Sequence, residues 1–184
     1  MVIIFIGPPG SGKGTQAQIL KDNLLPNLHL LTVSSLLKEK SDDGSLLVND
    51  IKKKKDNGDL IDDNIVIFVL SEKVENLNNE QILIDGFPRS SIQAESLNNI
   101  FKNLDVNIIN FIVSDEQLLE RIKKRSLEES RADDSVFEKR LAIYKKSHNE
   151  IINSLNKYYK VIDIEADSEI SLISNKIAEK LGLN

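Results

Sequence analysis

The sequence contains no cysteine, which excludes disulfide bonds, thiol catalysis and zinc or iron–sulfur sites held by thiolates. It has two histidines, His29 and His148, so a histidine-rich metal centre is not expected either. No apolar run approaches the roughly 18 residues that a membrane-spanning helix needs. Together these absences exclude thiol-based and membrane-spanning classes of protein.

Positive charge is in slight deficit, with 24 Lys and Arg against 29 Asp and Glu and a formal net charge of −5. This balance argues against a general binder of nucleic acid or anionic membranes, although it is compatible with a local basic pocket. The 184 residues are interpreted as a single domain, 1–184. Val2–Ile6 is too short for a signal-peptide core and no basic region precedes it, so a cytoplasmic protein is expected.

Short runs rich in Val, Ile and Phe alternate with longer polar segments of helical period. Because the runs are nearly continuously apolar, they are typical of strands buried on both faces of a parallel sheet. The alternation predicts a three-layer α/β fold around five parallel strands. The predicted strands are Val2–Ile6, Leu28–Val33, Gln81–Ile84, Asn107–Val113 and Val161–Ile164. The predicted helices are Lys13–Asn23, Ser34–Lys40, Ser45–Asp56, Asp62–Leu77, Ser90–Lys102, Asp115–Arg125, Asp134–Tyr158 and Ser168–Leu181.

Two stretches depart from this alternation. From Ser34 to Leu77 about three helices follow one another without a strand, which indicates a helical insert after the second strand, placed at 34–63. The polar stretch 126–135 reads as a short loop.

A phosphate-binding loop is predicted directly after the first strand. The spacing Gly7-x4-Gly12-Lys13 is that of a P-loop, whose backbone N–H groups form a nest for phosphate oxygens. The positive end of the following helix adds to the attraction, and Lys13 can reach the outer phosphates. Gly14 stands where Ser or Thr usually holds Mg²⁺, and Thr15 comes one place later. The guanine-binding pattern Asn-Lys-x-Asp does not occur in the chain, which argues against a GTPase.

The run from Gly7 to Ala17, GPPGSGKGTQA, resembles the P-loop of the nucleoside monophosphate kinases and of adenylate kinases in particular. The resemblance continues across essentially the whole chain. It includes Asp85-Gly86-Phe87-Pro88-Arg89 with Gln93, then Arg121 and Arg125, then Arg131-Ala132-Asp133-Asp134 and Arg140. It implies a P-loop nucleoside triphosphate hydrolase-like sandwich whose insert 34–63 binds the monophosphate. Segment 126–135 would then be a lid of the short type without zinc.

The reaction that the resemblance implies is reversible transfer of the terminal phosphate of ATP to AMP, giving two ADP. ATP and AMP are then the partners, Mg²⁺ is the cofactor, and a monomer is expected. Asp85, at the carboxyl end of a strand, can hold Mg²⁺, usually through water. On the ATP side the implied residues are Gly10, Ser11, Gly12, Lys13, Gly14, Thr15, Arg121 and Arg125.

On the acceptor side, Arg89 is implied to bind the AMP phosphate, since a guanidinium can fork onto two phosphate oxygens. Gln93 offers a donor and an acceptor to the edge of adenine, and kinases of UMP and CMP typically have Asn at this place. Val33 and Lys38 depart from the family's pattern, because a hydroxyl and an arginine are usual there. The remaining implied acceptor residues are Gly58, Leu60 and Gly86, with Arg131 and Arg140 from the lid. Lys13, Asp85, Arg89, Arg125, Arg131 and Arg140 form the implied catalytic set.

Three alternatives stay open at this point. The nearest is a UMP/CMP kinase, which Gln93 opposes but Val33 does not. The second is a P-loop kinase of a sugar or a shikimate-like acid, and the third is a nucleotide sensor without catalysis. A set of arginines suited to two phosphorylated substrates argues against the second, and the presence of Lys13, Asp85 and the lid arginines argues against the third.

Overall fold

The computed structural model describes residues 1–42, 54, 57, 59–77, 80–128 and 136–183, and the side chains of these except 41, 42 and 125–128. The strands of the described residues are β1 (Val2–Ile6), β2 (His29–Thr32), β3 (Ile82–Asp85), β4 (Val106–Ile112) and β5 (Val161–Glu165). The helices are α1 (Lys13–Asn23), α2 (Val33–Asp42), α3 (Asp63–Asn76), α4 (Ser91–Ile100), α5 (Asp115–Glu128), α6 (Phe137–Leu155) and α7 (Ile170–Lys180).

The five strands form one parallel sheet in the order β2-β3-β1-β4-β5. The chain leaves β1 toward β2 on one side and leaves β4 toward β5 on the other, so the direction of winding changes between β1 and β4. In open α/β sheets, ligands bind at the carboxyl ends of the strands at such a switch point. The register brings Asp85 beside Thr32 on one flank and Phe5 on the other, at this same edge.

Each face of the sheet is covered by its own apolar cluster. Successive residues of β1 point to opposite faces, so Ile4 belongs to one cluster and Ile3 and Phe5 to the other. All three are fully buried. The ring of Phe5 meets that of Phe111 edge to face at a centroid distance of 5.0 Å. This double burial explains why the strands read as continuous apolar runs rather than alternating ones.

Local capping sets where several helices begin. Asp62 caps α3 by accepting a hydrogen bond from the Asn64 backbone N–H at 2.9 Å, and Ser90 caps α4 by accepting from that of Gln93 at 3.1 Å. At α7 the capping position is Glu169, whose side chain makes no capping bond. Asp167 instead accepts from the backbone N–H of Ser114 at 3.1 Å, which ties the end of β5 to the end of β4.

The predicted α/β class and the five-stranded parallel sheet are confirmed. β1 and α1 have the predicted bounds, and the other strands end within a residue or so of theirs. The predicted helix 45–56 lies outside the described residues except Lys54, and most of the loop 126–135 also lies outside them. The division into an insert at 34–63 and a lid at 126–135 stays a prediction. Among the described residues, no helix is both long and apolar enough to cross a membrane.

A test of the core compares two leucines at mid-helix positions. Leu97 on α4 is fully buried, whereas Leu119 on α5 is 45 % exposed. We expect Leu97→Ala to lower the free energy of unfolding by about 2–5 kcal/mol, because it removes apolar contacts and leaves a cavity. Leu119→Ala should change it by no more than about 0.5 kcal/mol. Urea unfolding followed by circular dichroism measures both, and equal losses would contradict this description of the core.

Candidate active site

The P-loop leaves β1 at Gly7, where the backbone passes very close to β4. Gly7 has a φ of 146°, and a Cβ built on it would lie 2.8 Å from Phe111 Cβ and 3.1 Å from the Phe111 carbonyl oxygen. Gly12, with a φ of 93°, precedes the first turn of α1. The loop therefore needs glycine at Gly7 for space and at Gly12 for its left-handed backbone. Ser11, between them, is buried.

The ammonium group of Lys13 lies inside this loop. It donates hydrogen bonds to the carbonyl oxygens of Gly7 at 2.9 Å and Pro8 at 2.8 Å, and to Ser11 Oγ at 3.1 Å. Three acceptors match the three N–H donors of an ammonium group. Burial nevertheless lowers the pKa of Lys13 to about 8, because desolvation disfavours the charged form. Lys13 is thus held in place by the loop, and its charge depends on pH in a range close to neutral.

Three further charged side chains act on Lys13. Asp85 raises the pKa of its ammonium, whereas Arg89 and Arg140 lower it, each by a smaller amount than desolvation does. Arg89 follows β3 and Arg140 lies on α6, so residues far apart in sequence share one electrostatic neighbourhood at the carboxyl edge of the sheet. Three cations around one carboxylate leave a net positive site, which favours a polyanionic ligand.

Arg89 is anchored through its side chain and its backbone. Its Nε donates to the Gly86 carbonyl oxygen at 2.7 Å, and its backbone N–H donates to Gln93 Oε1 at 2.7 Å. Gln93 Nε2 in turn donates to Asp63 Oδ1 at 2.7 Å. Gln93 is 2 % exposed, so its amide is buried and does not lie on a solvated helix face. Its amide links Arg89 to the first residue of α3.

Arg121 links the P-loop to the segment that follows β5. Its Nη1 donates to the Ser11 carbonyl oxygen at 3.2 Å, and its Nη2 donates to the Ala166 carbonyl oxygen just after β5. Arg121 therefore braces the P-loop against the end of the sheet. Gln16, which is buried on α1, makes a second such link by donating to the Ile170 carbonyl oxygen at 3.0 Å.

The remaining predicted acceptor residues have different surroundings. Val33 is the first residue of α2 and is buried in the apolar cluster that includes Val66, while Lys38 is exposed on the same helix. Leu60 is exposed. Near it, Lys139 on α6 forms an ion pair with Asp59 at 2.7 Å. The segment that contains Asp59 thus reaches α6, which also carries Arg140.

Other predicted residues lie outside the described part of the chain. These are Gly58 and Arg131, together with the side chain of Arg125, whose backbone belongs to α5. Conversely, the sequence reasoning missed Asp63, which belongs to no motif. Its only signal was its position directly after a helix-capping aspartate.

Asp85 suits a magnesium ion bound to nucleotide phosphates. Among the described residues, no group of three or more His, Asp or Glu side chains could hold a metal by itself. Mg²⁺ at phosphate sites usually takes one or two carboxylates, with phosphate oxygens and water completing its shell. Asp85 Oδ2 lies 3.7 Å from the Cβ position of Gly14, so the carboxylate faces the start of α1. A single carboxylate beside a phosphate loop fits this requirement.

A parallel sheet with a lysine-bearing P-loop and a cluster of arginines at its carboxyl edge defines a phosphoryl-transfer enzyme of the P-loop class. Comparison with known proteins agrees with this class. A family model described as "Adenylate kinase" matches residues 5–162. The chain belongs to the adenylate kinase family, and it is a phosphotransferase of the nucleoside monophosphate kinase type.

Similar proteins of this family occur in several bacteria. An adenylate kinase of Synechococcus sp. (strain WH7803) is 32 % identical over 184 residues, covering 97 % of each chain. One of Prochlorococcus marinus (strain NATL2A) is 30 % identical over 183 residues, covering 98 % of each. One of Leptospira biflexa is 36 % identical over 137 residues, covering 72 % of this chain and 73 % of that protein. The similarity to the first two therefore extends over nearly the whole length of both chains.

The close approach of the P-loop to β4 gives a direct test. We expect Gly7→Ala to lower the free energy of unfolding by about 1–3 kcal/mol, because the new methyl group would overlap Phe111 Cβ and crowd the Phe111 carbonyl oxygen. Gly182→Ala is the matched control, since Gly182 also has a positive φ, 67°, but its Cβ would have no atom within 4 Å. That substitution should cost about 1 kcal/mol from backbone strain alone. Thermal unfolding measures both, and a smaller loss at Gly7 than at Gly182 would refute the close contact.

Proposed function

We propose that the chain transfers the terminal phosphate of ATP to AMP, reversibly and with Mg²⁺, giving two ADP. The observation that carries this proposal is the electrostatic neighbourhood of Lys13, Asp85, Arg89 and Arg140. A P-loop alone would serve one nucleotide. The additional arginine held beside β3 supports a second phosphate-bearing substrate, which the names of the similar proteins identify as an adenylate.

In this proposal the P-loop backbone and Lys13 bind the ATP phosphates. All three donors of the Lys13 ammonium are engaged within the loop, so phosphate binding replaces at least one of these bonds. Arg121 then keeps the loop in position from outside. Gly10 contributes by close packing, since a Cβ there would lie 3.3 Å from Ile122 on α5.

Arg89 binds the phosphate of AMP and orients it as the nucleophile. Its Nε is used by the Gly86 carbonyl oxygen, which holds the guanidinium plane in one orientation. Transfer needs no covalent intermediate on the protein, because positioning and neutralisation of charge supply most of the rate. Arg140, with Arg125 and Arg131 as further candidates, neutralises the charge that develops on the transferring group.

Mg²⁺, when bound with ATP, neutralises charge on the phosphates, and Asp85 is the residue that would hold it through water. A monomer remains the expected oligomeric state. We retain the cytoplasm as the expected compartment, since ATP and AMP are available there.

The proposal is tested by a coupled assay with ATP, Mg²⁺ and a panel of AMP, CMP and UMP. We expect AMP to be the fastest acceptor, with Gln93 matching the adenine edge. Faster turnover of CMP or UMP would support a pyrimidine monophosphate kinase instead. Binding of ATP without transfer to any acceptor would support a sensor.

The same assay examines the role of Arg89. Arg89→Ala should reduce kcat/KM for AMP by about 10²–10³, comparable to loss of one transition-state donor. Lys102→Ala is the control, since Lys102 is an exposed cation just after α4. It should leave kcat/KM unchanged, and equal losses in the two variants would show that only the overall charge matters.

The lowered pKa of Lys13 predicts a pH dependence of ATP binding. Below pH 8 the ammonium is charged in the free protein, so this group does not change the affinity. Above about pH 8 it is neutral, and phosphate binding must take up a proton. The dissociation constant should therefore rise by up to about tenfold per pH unit. Calorimetric titration of ATP from pH 7 to 9.5 measures it.

Lys13→Arg is the control for this titration, because a guanidinium stays charged throughout this range. Its ATP affinity should be weaker but nearly independent of pH. A wild-type affinity that stays constant to pH 9.5 would contradict the assigned pKa.

A further inference from the structure

The Gln93 side chain is held between a carboxylate and a backbone donor. Its Nε2 donates to Asp63 Oδ1 at 2.7 Å, and its Oε1 accepts from the Arg89 backbone N–H at 2.7 Å. Since the residue is 2 % exposed, water has little access to replace either bond. Both partners come from elements that also border the predicted acceptor site.

These two partners allow only one orientation of the amide. An ionised carboxylate can only accept hydrogen bonds, and a backbone N–H can only donate. Turning the Gln93 amide by 180° would place its oxygen against the Asp63 carboxylate and its NH₂ group against the Arg89 N–H. Both bonds would then be replaced by repulsion within a buried site, where unsatisfied polar groups are costly. Asp63 and Arg89 therefore fix which end of the amide is donor and which is acceptor.

The fixed amide still has unused hydrogen-bonding capacity. An amide carries two N–H donors and two acceptor lone pairs, and each Gln93 atom has one partner among the described residues. One N–H of Nε2 and one lone pair of Oε1 remain available to a ligand, and the fixed orientation sets which of the two positions donates and which accepts. Adenine presents a ring acceptor next to an exocyclic amino donor. Hypoxanthine presents a ring N–H donor next to an exocyclic oxygen, which is the opposite order.

We propose that Asp63 is a specificity-determining positioning residue, which fixes the Gln93 amide so that the acceptor site prefers a 6-amino purine over a 6-oxo purine. This inference rests on the proposed function, in which Gln93 contacts the acceptor base. Asp63 acts through Gln93 and does not touch the substrate. Its effect is therefore on the choice of base more than on the rate of transfer.

The test measures the ratio of kcat/KM for AMP to that for inosine monophosphate, a substrate that differs at the purine edge. Asp63→Asn keeps the size of the side chain but can either accept or donate, so it no longer repels the turned Gln93 amide. The turned orientation then loses only the bond from the Arg89 backbone N–H and becomes accessible. We expect the AMP preference to fall by about tenfold or more, the scale of discrimination by one bidentate base contact. The kcat for AMP should change much less. An unchanged ratio would overturn the proposal.

Asp62→Asn is the matched control. It removes the same charge at the adjacent position, and Asn replaces Asp well as a helix cap. Asp62 caps α3 through Asn64 and has no bond to Gln93 among the described contacts. The AMP preference should stay at the wild-type value, and an equal fall in this variant would show that the effect is one of general charge. If Asp63→Asn does not fold, Asp63→Ala also removes the carboxylate that repels the turned amide and should give the same fall.

Gln93→Ala separates this inference from the proposed function. If Gln93 contacts the base, Gln93→Ala loses the AMP preference, and adding Asp63→Asn to Gln93→Ala changes this preference no further. If Gln93→Ala keeps the wild-type preference, the proposed contact with the base is wrong and the inference about Asp63 fails with it. If Gln93→Ala lowers the preference but Asp63→Asn does not, only the inference about Asp63 is wrong.

Discussion

The confinement of the Lys13 ammonium within a loop of backbone carbonyls is the interaction around which the site is organised. The loop begins where β1 and β4 approach closely enough to require glycine at Gly7. Burial makes the ammonium easier to deprotonate, and two nearby arginines add to this effect, while Asp85 opposes it. A phosphate chain reverses the balance by supplying negative charge. Binding of a phosphate chain is therefore expected to raise the pKa of Lys13.

The sheet was largely predictable from the sequence, because strands buried on both faces leave an unambiguous signal. Runs such as Val2–Ile6 are continuously apolar, and the polar P-loop follows at once. The P-loop itself was predictable because its glycine spacing reflects a backbone requirement. The order of the strands was not predicted, since no residue within a strand specifies its neighbours. The positions of Arg89 and Arg140 near Lys13 came from the family resemblance and not from composition or periodicity.

What the sequence did not reveal are contacts between ordinary polar residues on different elements. Asp63 is one of 29 acidic residues, and nothing in its spacing distinguishes it from those on solvated helix faces. Its role depends on α3 returning to the sheet edge beside α4, which is a property of the tertiary structure. Arg121 was predicted on the ATP side, but its bond to the Ala166 carbonyl oxygen, which joins positions 45 residues apart, was not. Sequence motifs identify the residues that contact the ligand. The residues that hold a motif in place can come from any part of the chain, so no fixed sequence spacing identifies them.

Among the described contacts, Asp59 and Asp63 connect the chain around the start of α3 to the rest of the site, and the two contacts differ in strength. Gln93 is 2 % exposed, so breaking the Asp63–Gln93 bond leaves the buried Gln93 Nε2 without this acceptor. The Lys139–Asp59 ion pair is nearly half exposed on both sides, and pairs of this kind contribute about 0.2–1 kcal/mol. Lys139 also donates to the Asn57 carbonyl oxygen at 2.9 Å, but this bond is exposed as well. The orientation of the Gln93 amide therefore depends on the contact at Asp63 and not on the weaker contact at Asp59.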